Sequence, residues 1–281
     1  MVRSPILLLD GAMGTVLESR SFDTRGSGWS ANVVKEHPEA VEGLHDEYVR
    51  AGADVLTACT FRTTRRAIGQ LWEAAAAQAV RLARAAARDG VRVAGSIAPL
   101  LDCWRPELSP GSASEPEHAR LARVLADAGC DILLCETMTN VDEAIAATRA
   151  ASKTGLPVWT AFSPGFRADL LNCAQVADGA RRAVEAGAAA VLVNCVPVAS
   201  AVHYVRAIAA AVPASTLCGC YANAGLGAHS APDCEHYAQA ALEWVRAGAT
   251  IIGGCCGTTP EHIAAVGASV RKGRGGIRTH E

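Results

Sequence analysis

Three thiols and two carboxylates carry the chemistry this chain can offer. Cys255 and Cys256 are adjacent in GGCCGTTPEH (253–262), and Cys195 ends the apolar run AAVLVNC (189–195). Asp10 follows PILLL (5–9) and Glu136 follows DILLC (131–135). A single cysteine at a strand end ordinarily packs as a small hydrophobe, but a vicinal pair in a glycine-rich turn is hard to explain by packing. Three thiolates around one ion with a fourth place open form a catalytic rather than a structural zinc site. Soft sulfur ligands favour zinc over magnesium or calcium. Gly257 eases the turn that lets Cys256 reach the same point. A helix starting in TTPEH, with Thr258 or Thr259 as N-cap and Pro260 in its first turn, would set its positive end near the thiolates. The carboxylates sit where an unpaired charge is costly. No Lys or Arg lies within three residues of either. They pair with a basic group from elsewhere in the chain, or they await a cationic ligand group. Two acids on one rim would also suit glycoside hydrolysis, which would leave the thiols unexplained.

These residues meet only if the chain brings the ends of distant apolar runs together. VRAGADVLT (49–57), ADAGCDILL (126–134), VEAGAAAVLV (184–193) and VRAGATIIG (245–253) repeat one plan: a helical pattern, a glycine, a short turn, an apolar run. Gly52, Gly90, Gly129, Gly155, Gly187 and Gly248 fit the helix C′ position. Eight such runs are expected as strands, at 6–9, 54–59, 91–97, 131–136, 157–163, 189–195, 215–221 and 249–255. They are continuously apolar, as strands buried on both faces must be. Helical spacing is read over 74–88, 117–128, 142–152, 199–211 and 235–247. Eight strand–helix units predict an α/β fold, a single-domain (β/α)8 TIM barrel over residues 1–272, with 273–281 as a flexible basic tail. A doubly wound sheet would show a glycine-rich phosphate fingerprint after its first strand, and DGAMGTVL is not one. Segments 18–38 and 99–116 are expected as long βα loops. Strand alternation aims Cys135 toward the helices, away from the barrel mouth.

The 26 Lys and Arg against 28 Asp and Glu leave a net charge of −2, which gives no electrostatic case for nucleic acid or a membrane surface. The N-terminal apolar run is too short for a signal peptide, and no window reaches membrane-spanning length. A cytoplasmic location is expected, where 11 cysteines would stay reduced. The partners expected are small molecules, and the oligomeric state is left open.

LLLDGAMGTVL, AGADVLTACTF, AGSIAP, AGCDILLCETM, VNCVP and IIGGCCGTTPEHI occur in the order found in homocysteine S-methyltransferases. The chain resembles that family over nearly its whole length. The resemblance implies a zinc-dependent enzyme that moves a methyl group from a small donor to homocysteine, giving methionine. It maps the zinc ligands onto Cys195, Cys255 and Cys256, and the homocysteine ammonium onto Asp10 and Glu136. Gly11, Thr60 and Asn194, at the same strand ends, are the other expected substrate contacts. The chain departs from the family pattern after the second strand, where Ala58 and Cys59 replace a Thr–Asn pair and Arg62 follows. PLLDCWRPELSP (99–110) also replaces a glycine- and tyrosine-bearing loop. These positions should border the donor pocket. The first expectation for the donor is a sulfonium such as S-methylmethionine. A betaine-type donor would want an aromatic cage, for which Trp29 and Trp104 are candidates. The alternatives are a non-catalytic thiol- or metal-binding barrel, or a methyltransferase acting on selenocysteine or another thiol.

Overall fold

The computed structural model describes residues 6–225 and 233–275. Its eight strands are β1 (Leu7–Leu8), β2 (Val55–Ala58), β3 (Arg92–Ile97), β4 (Ile132–Met138), β5 (Val158–Phe162), β6 (Ala188–Pro197), β7 (Leu217–Asn223) and β8 (Ile251–Gly254). Sheet neighbours follow one another in chain order, every paired strand is parallel, and β8 lies beside β1. A Leu9–Val55 bridge, with Asp10 N–H donating to Val55 O and Asp54 N–H to Leu8 O, joins β1 to β2. The ring is therefore closed, and the expected (β/α)8 barrel is what forms.

Alternation along each strand builds two apolar layers. Ile132 and Leu134 of β4 point into the barrel with Leu9, Val55, Trp159, Leu192 and Ile251. Leu133 and Cys135 point out into the layer beneath the helices, so Cys135 faces away from the mouth as its place in the strand requires. The helices are α1 (Gly14–Ser19), α2 (Ala31–Glu36), α3 (Pro38–Arg50), α4 (Arg65–Ile68), α5 (Trp72–Ala86), α6 (Glu115–Asp127), α7 (Val141–Ser152), α8 (Cys173–Glu185), α9 (Val198–Ala211), α10 (Cys234–Arg246) and α11 (Pro260–Gly275). The βα loops run into these helices through Asn140, Asn172 and Asp233. Each of these side chains accepts a first-turn N–H, a contact worth about 1 kcal/mol. The six glycines read as helix terminators all have positive φ, between 83° and 117°.

The long segment 18–38 is more structured than expected, because α1 ends in it and α2 folds within it. The segment before α6 carries two short 3-10 turns, Pro106–Leu108 and Gly111–Ser114. Of the expected tail, 273–275 continue α11 and the remainder lies outside the described residues. Among the described residues no helix is long and apolar enough to cross a membrane, and every cysteine is free.

Candidate metal centre

The inward positions above the apolar filling of the barrel are polar. Thr57 of β2, Ser96 of β3, Glu136 of β4 and Tyr221 of β7 line the mouth, and Cys255 lies just past β8. The Sγ atoms of Cys195, Cys255 and Cys256 all lie within 4.8 Å of one another, and those of Cys195 and Cys255 are 2.6 Å apart.

Cys195 reaches this place against its position in the strand. Ala190 and Leu192 face the barrel interior and Val191 and Val193 the helices, so counting onward sends Cys195 outward. Two features reverse it: the Cys195 backbone is left-handed at φ 49°, and the β6–β7 register shifts between Asn194 and Pro197. A left-handed non-glycine residue costs about 1 kcal/mol, so something must hold it there. Asn194 Oδ1 accepts from the Thr137 N–H at 3.0 Å, and Asn194 Nδ2 donates to Thr137 Oγ1 at 2.8 Å. Thr137, directly after Glu136, is also left-handed at φ 56°, beside a register shift in β4. The strand end that carries the thiol and the one that carries the carboxylate are thus kinked alike and fastened to each other. Asn194→Ala is expected to lower metal affinity about 10–100-fold, read by competition with a chelator. Unchanged affinity would show that Asn194 does not set the sulfur.

On the other side of the trio, Gly257 takes φ 79° and donates its N–H to Thr15 Oγ1 at 3.0 Å. A Cβ on Gly11 would stand 2.8 Å from both Thr258 Oγ1 and the Tyr48 hydroxyl. Glycine at position 11 therefore lets the end of β1 close onto the cysteine turn. Of the two expected caps, Thr259 is the residue immediately before α11. The Thr258 hydroxyl instead donates to Cys255 O at 2.7 Å and accepts from the Ala12 N–H at 3.2 Å.

Asp10 accepts from the Thr57 N–H at 2.7 Å and the Thr57 hydroxyl at 2.9 Å. Glu136 accepts from the Ser96 hydroxyl at 2.5 Å and the Tyr221 hydroxyl at 3.1 Å. Both acids are buried. Burial pushes the Asp10 carboxyl up to about 8; the Thr57 bonds oppose this and the charge of Glu136 adds to it. Burial likewise raises Glu136 to about 7, against the bonds from Ser96 and Tyr221. Among the described residues no basic side chain contributes to either shift. A cation placed beside the pair would favour the charged form of both acids. The same holds for the thiols. Contacts from Cys195 and Cys255 hold the Cys256 thiol well below its ordinary value, and contacts from Cys255 and Cys256 hold Cys195 well above it. Ionising all the thiols requires a positive ion, and the donor set suits a soft divalent metal.

Asp10, Gly11, Glu136 and the three cysteines line one cavity of about 370 Å³. Thr60 and Asn194 are not on its wall. The Thr60 hydroxyl donates to Ser96 O and accepts from the Ser96 N–H, tying the end of β2 to β3, and Asn194 is turned to Thr137. Thr57, whose side chain points inward like that of Val55 two residues earlier, lines the wall near the end of β2. The cavity also has an aromatic part. Trp29 stacks on Phe61 with ring centroids 5.5 Å apart, and Trp104 meets Phe166 at 3.9 Å. All four line the wall. The Arg62 guanidinium lies 4.8 Å from the centre of the Trp29 ring. Sequence reading picked out the two tryptophans but neither phenylalanine, although both phenylalanines sit in βα loops just after strands.

A closed (β/α)8 barrel with two buried acids and three clustered thiols that could hold a metal at one mouth has the layout of an enzyme active site. Comparison with known proteins narrows this class. The sequence model of the homocysteine S-methyltransferase family matches residues 7–270. The chain belongs to the homocysteine S-methyltransferase family, and it is a methyltransferase. The homocysteine S-methyltransferase of Escherichia coli is 30% identical, over 95% of this chain and 96% of that protein. Betaine–homocysteine S-methyltransferase 1 of Danio rerio is 30% identical, over 96% of this chain and 74% of that protein. The crystal structure of the Escherichia coli homocysteine methyltransferase MmuM in its metallated form superposes with a TM-score of 0.80 at 27% identity, covering 95% of this chain and 96% of that one.

Proposed function

We propose that this enzyme transfers a methyl group from a small cationic donor to the sulfur of homocysteine, giving methionine, with zinc held by Cys195, Cys255 and Cys256. The observation that carries this reading is the placement of the thiol trio and the Asp10–Glu136 pair in one cavity, which suits a ligand bearing both a sulfur and an ammonium group. When bound, zinc would keep the acceptor sulfur deprotonated near neutral pH while leaving it nucleophilic.

The chain's own residues do the rest by orientation. Asp10 and Glu136 receive the acceptor ammonium, and the hydroxyls of Thr57, Ser96 and Tyr221 hold the two carboxylates toward it. The aromatic wall takes the donor cation against its π faces and keeps water out. A new bond forms between the acceptor sulfur and the methyl carbon as the bond from that carbon to the donor heteroatom breaks. The bonding pair leaves with the donor as a neutral thioether or tertiary amine, so no general base is needed at the methyl group. The Trp104–Phe166 pair supports a quaternary ammonium donor as well as a sulfonium such as S-methylmethionine, whereas the Trp29–Phe61 pair already carries the Arg62 guanidinium.

The test is a donor screen with homocysteine, read as methionine by mass spectrometry and paired with metal analysis of the purified protein. About one zinc per chain and turnover with one class of cationic donor is the expected result. Folded, zinc-loaded protein that makes no methionine from any sulfonium or quaternary ammonium donor would refute the reading. Competition between homocysteine and other thiols or selenols fixes the acceptor.

A further inference from the structure

Glu143, in the first turn of α7, is 1% exposed and does not line the cavity. A buried carboxylate without a lysine or arginine partner must be held by other donors. Three hold it, two of them from the segment between β3 and α6. The Leu100 N–H donates to Oε1 at 2.8 Å, and the Ser109 hydroxyl donates to Oε2. His118 Nε2 stands 3.2 Å from Oε1, and because a carboxylate only accepts, that nitrogen carries the proton. Burial pushes the Glu143 carboxyl up, but these bonds outweigh it and hold the group below the usual glutamate value.

Leu100 and Ser109 bracket Trp104. The turn leading into α7 secures the stretch between them: Thr139 Oγ1 donates to Cys103 O at 2.7 Å and Asn140 Nδ2 to Pro106 O at 3.4 Å. Arg62 Nη1 adds a bond to Leu101 O at 3.0 Å. Trp104 leaves this clamped stretch to meet Phe166 on the cavity wall.

We propose that Glu143 is a positioning residue that grips both ends of the β3–α6 segment and thereby sets Trp104 on the cavity wall. The effect on turnover rests on the reading of that wall as the donor side. Glu143 touches neither the trio nor the Asp10–Glu136 pair, so its loss should be felt by one substrate and not the other.

The experiment compares Glu143→Ala with Glu143→Gln in the full chain. Removing the carboxylate strands buried donors at Leu100 and Ser109. Glu143→Ala is expected to raise the donor KM about tenfold while the acceptor KM stays within about twofold. Glu143→Gln keeps an oxygen for the Leu100 N–H and can donate to Ser109 Oγ, so it should recover most of the loss. Acrylamide quenching supplies a readout independent of turnover. The part of the tryptophan emission removed by Trp104→Phe should become about twice as accessible in Glu143→Ala. Unchanged Trp104 accessibility, or equal rises in both KM values, overturns the proposal. A loosened Trp104 with an unchanged donor KM upholds the clamp and refutes the donor reading of the wall. If Glu143→Ala does not fold, Ser109→Ala removes one arm and is judged by the same two readouts.

Discussion

Cys195→Ser protein is expected to purify as a folded barrel with metal affinity lowered about a thousandfold and methyl transfer reduced to background. Serine is a poor ligand for a soft divalent ion, and a site left with two thiolates loses much of the binding free energy a third supplies. The fold should survive because Cys195 stands at the rim, beyond the layers that fill the barrel and support its helices. Substitution of one partly polar rim position costs about 1 kcal/mol, or about 2–4 °C in melting temperature for a domain of this size. Metal analysis, calorimetry and a methionine assay on the same preparation decide the matter. Retained metal would remove Cys195 from the site, and a collapsed fold would make it a packing residue. Prolonged dialysis of the wild-type protein against a chelator should also abolish activity, with recovery on adding zinc.

Asp10→Asn separates binding from stability. Its first effect is on the acceptor, whose ammonium loses a charged partner. A hydrogen bond to a charged group is worth about 1.5–3 kcal/mol, so the acceptor KM should rise about 10–100-fold with little change for the donor. An unchanged acceptor KM would remove Asp10 from that role. The second effect runs the other way. The Asp10 carboxyl is raised by burial from 3.8 to about 8, so near neutral pH the folded protein without acceptor holds a proton that the unfolded chain releases. Stability from this group is full below the unfolded value and declines as pH climbs toward about 8. The wild-type melting temperature should therefore fall between pH 5 and pH 8. In Asp10→Asn the fall should be shallower and the protein more stable at pH 8, by a few kcal/mol at most. The asparagine amide can still accept from the Thr57 N–H and donate to the Thr57 hydroxyl. Parallel melting curves for the two proteins across that window would show that Asp10 does not carry the strain. Binding of the acceptor ammonium to the wild type should release a proton in the same range.

The barrel was legible because its signals are local and repeated. Six of the eight strands follow a glycine of positive φ; Gly52, Gly129, Gly187 and Gly248 stand at the expected C′ position, whereas Gly90 and Gly155 lie farther past their helix ends. The thiol trio and the acids were legible because a barrel gathers its strand ends on one face, whatever lies between them in the chain. Bulges and side-chain clamps were not legible. Alternation alone would have turned Cys195 toward the helices, and the left-handed residues at 137 and 195 depend on a hydrogen-bonded pair 57 residues apart. Thr57 could have been found by counting two residues on from Val55, but Cys59 and Thr60, nearer the end of the run, drew the reading past it. Phe61 and Phe166 gain meaning only beside Trp29 and Trp104, and sequence does not disclose which loops meet over a mouth.

The cysteine pair directly follows β8, the stave that fits between β7 and β1. During synthesis the ribosome emits Cys195 long before Cys255 and Cys256, and until β8 docks the cylinder lies open with one of its three sulfurs in place. A growing chain therefore has no means of capturing metal through this trio. On the proposed zinc reading, binding by all three thiols would follow closure of the barrel, so metal occupancy would report on barrels that have closed.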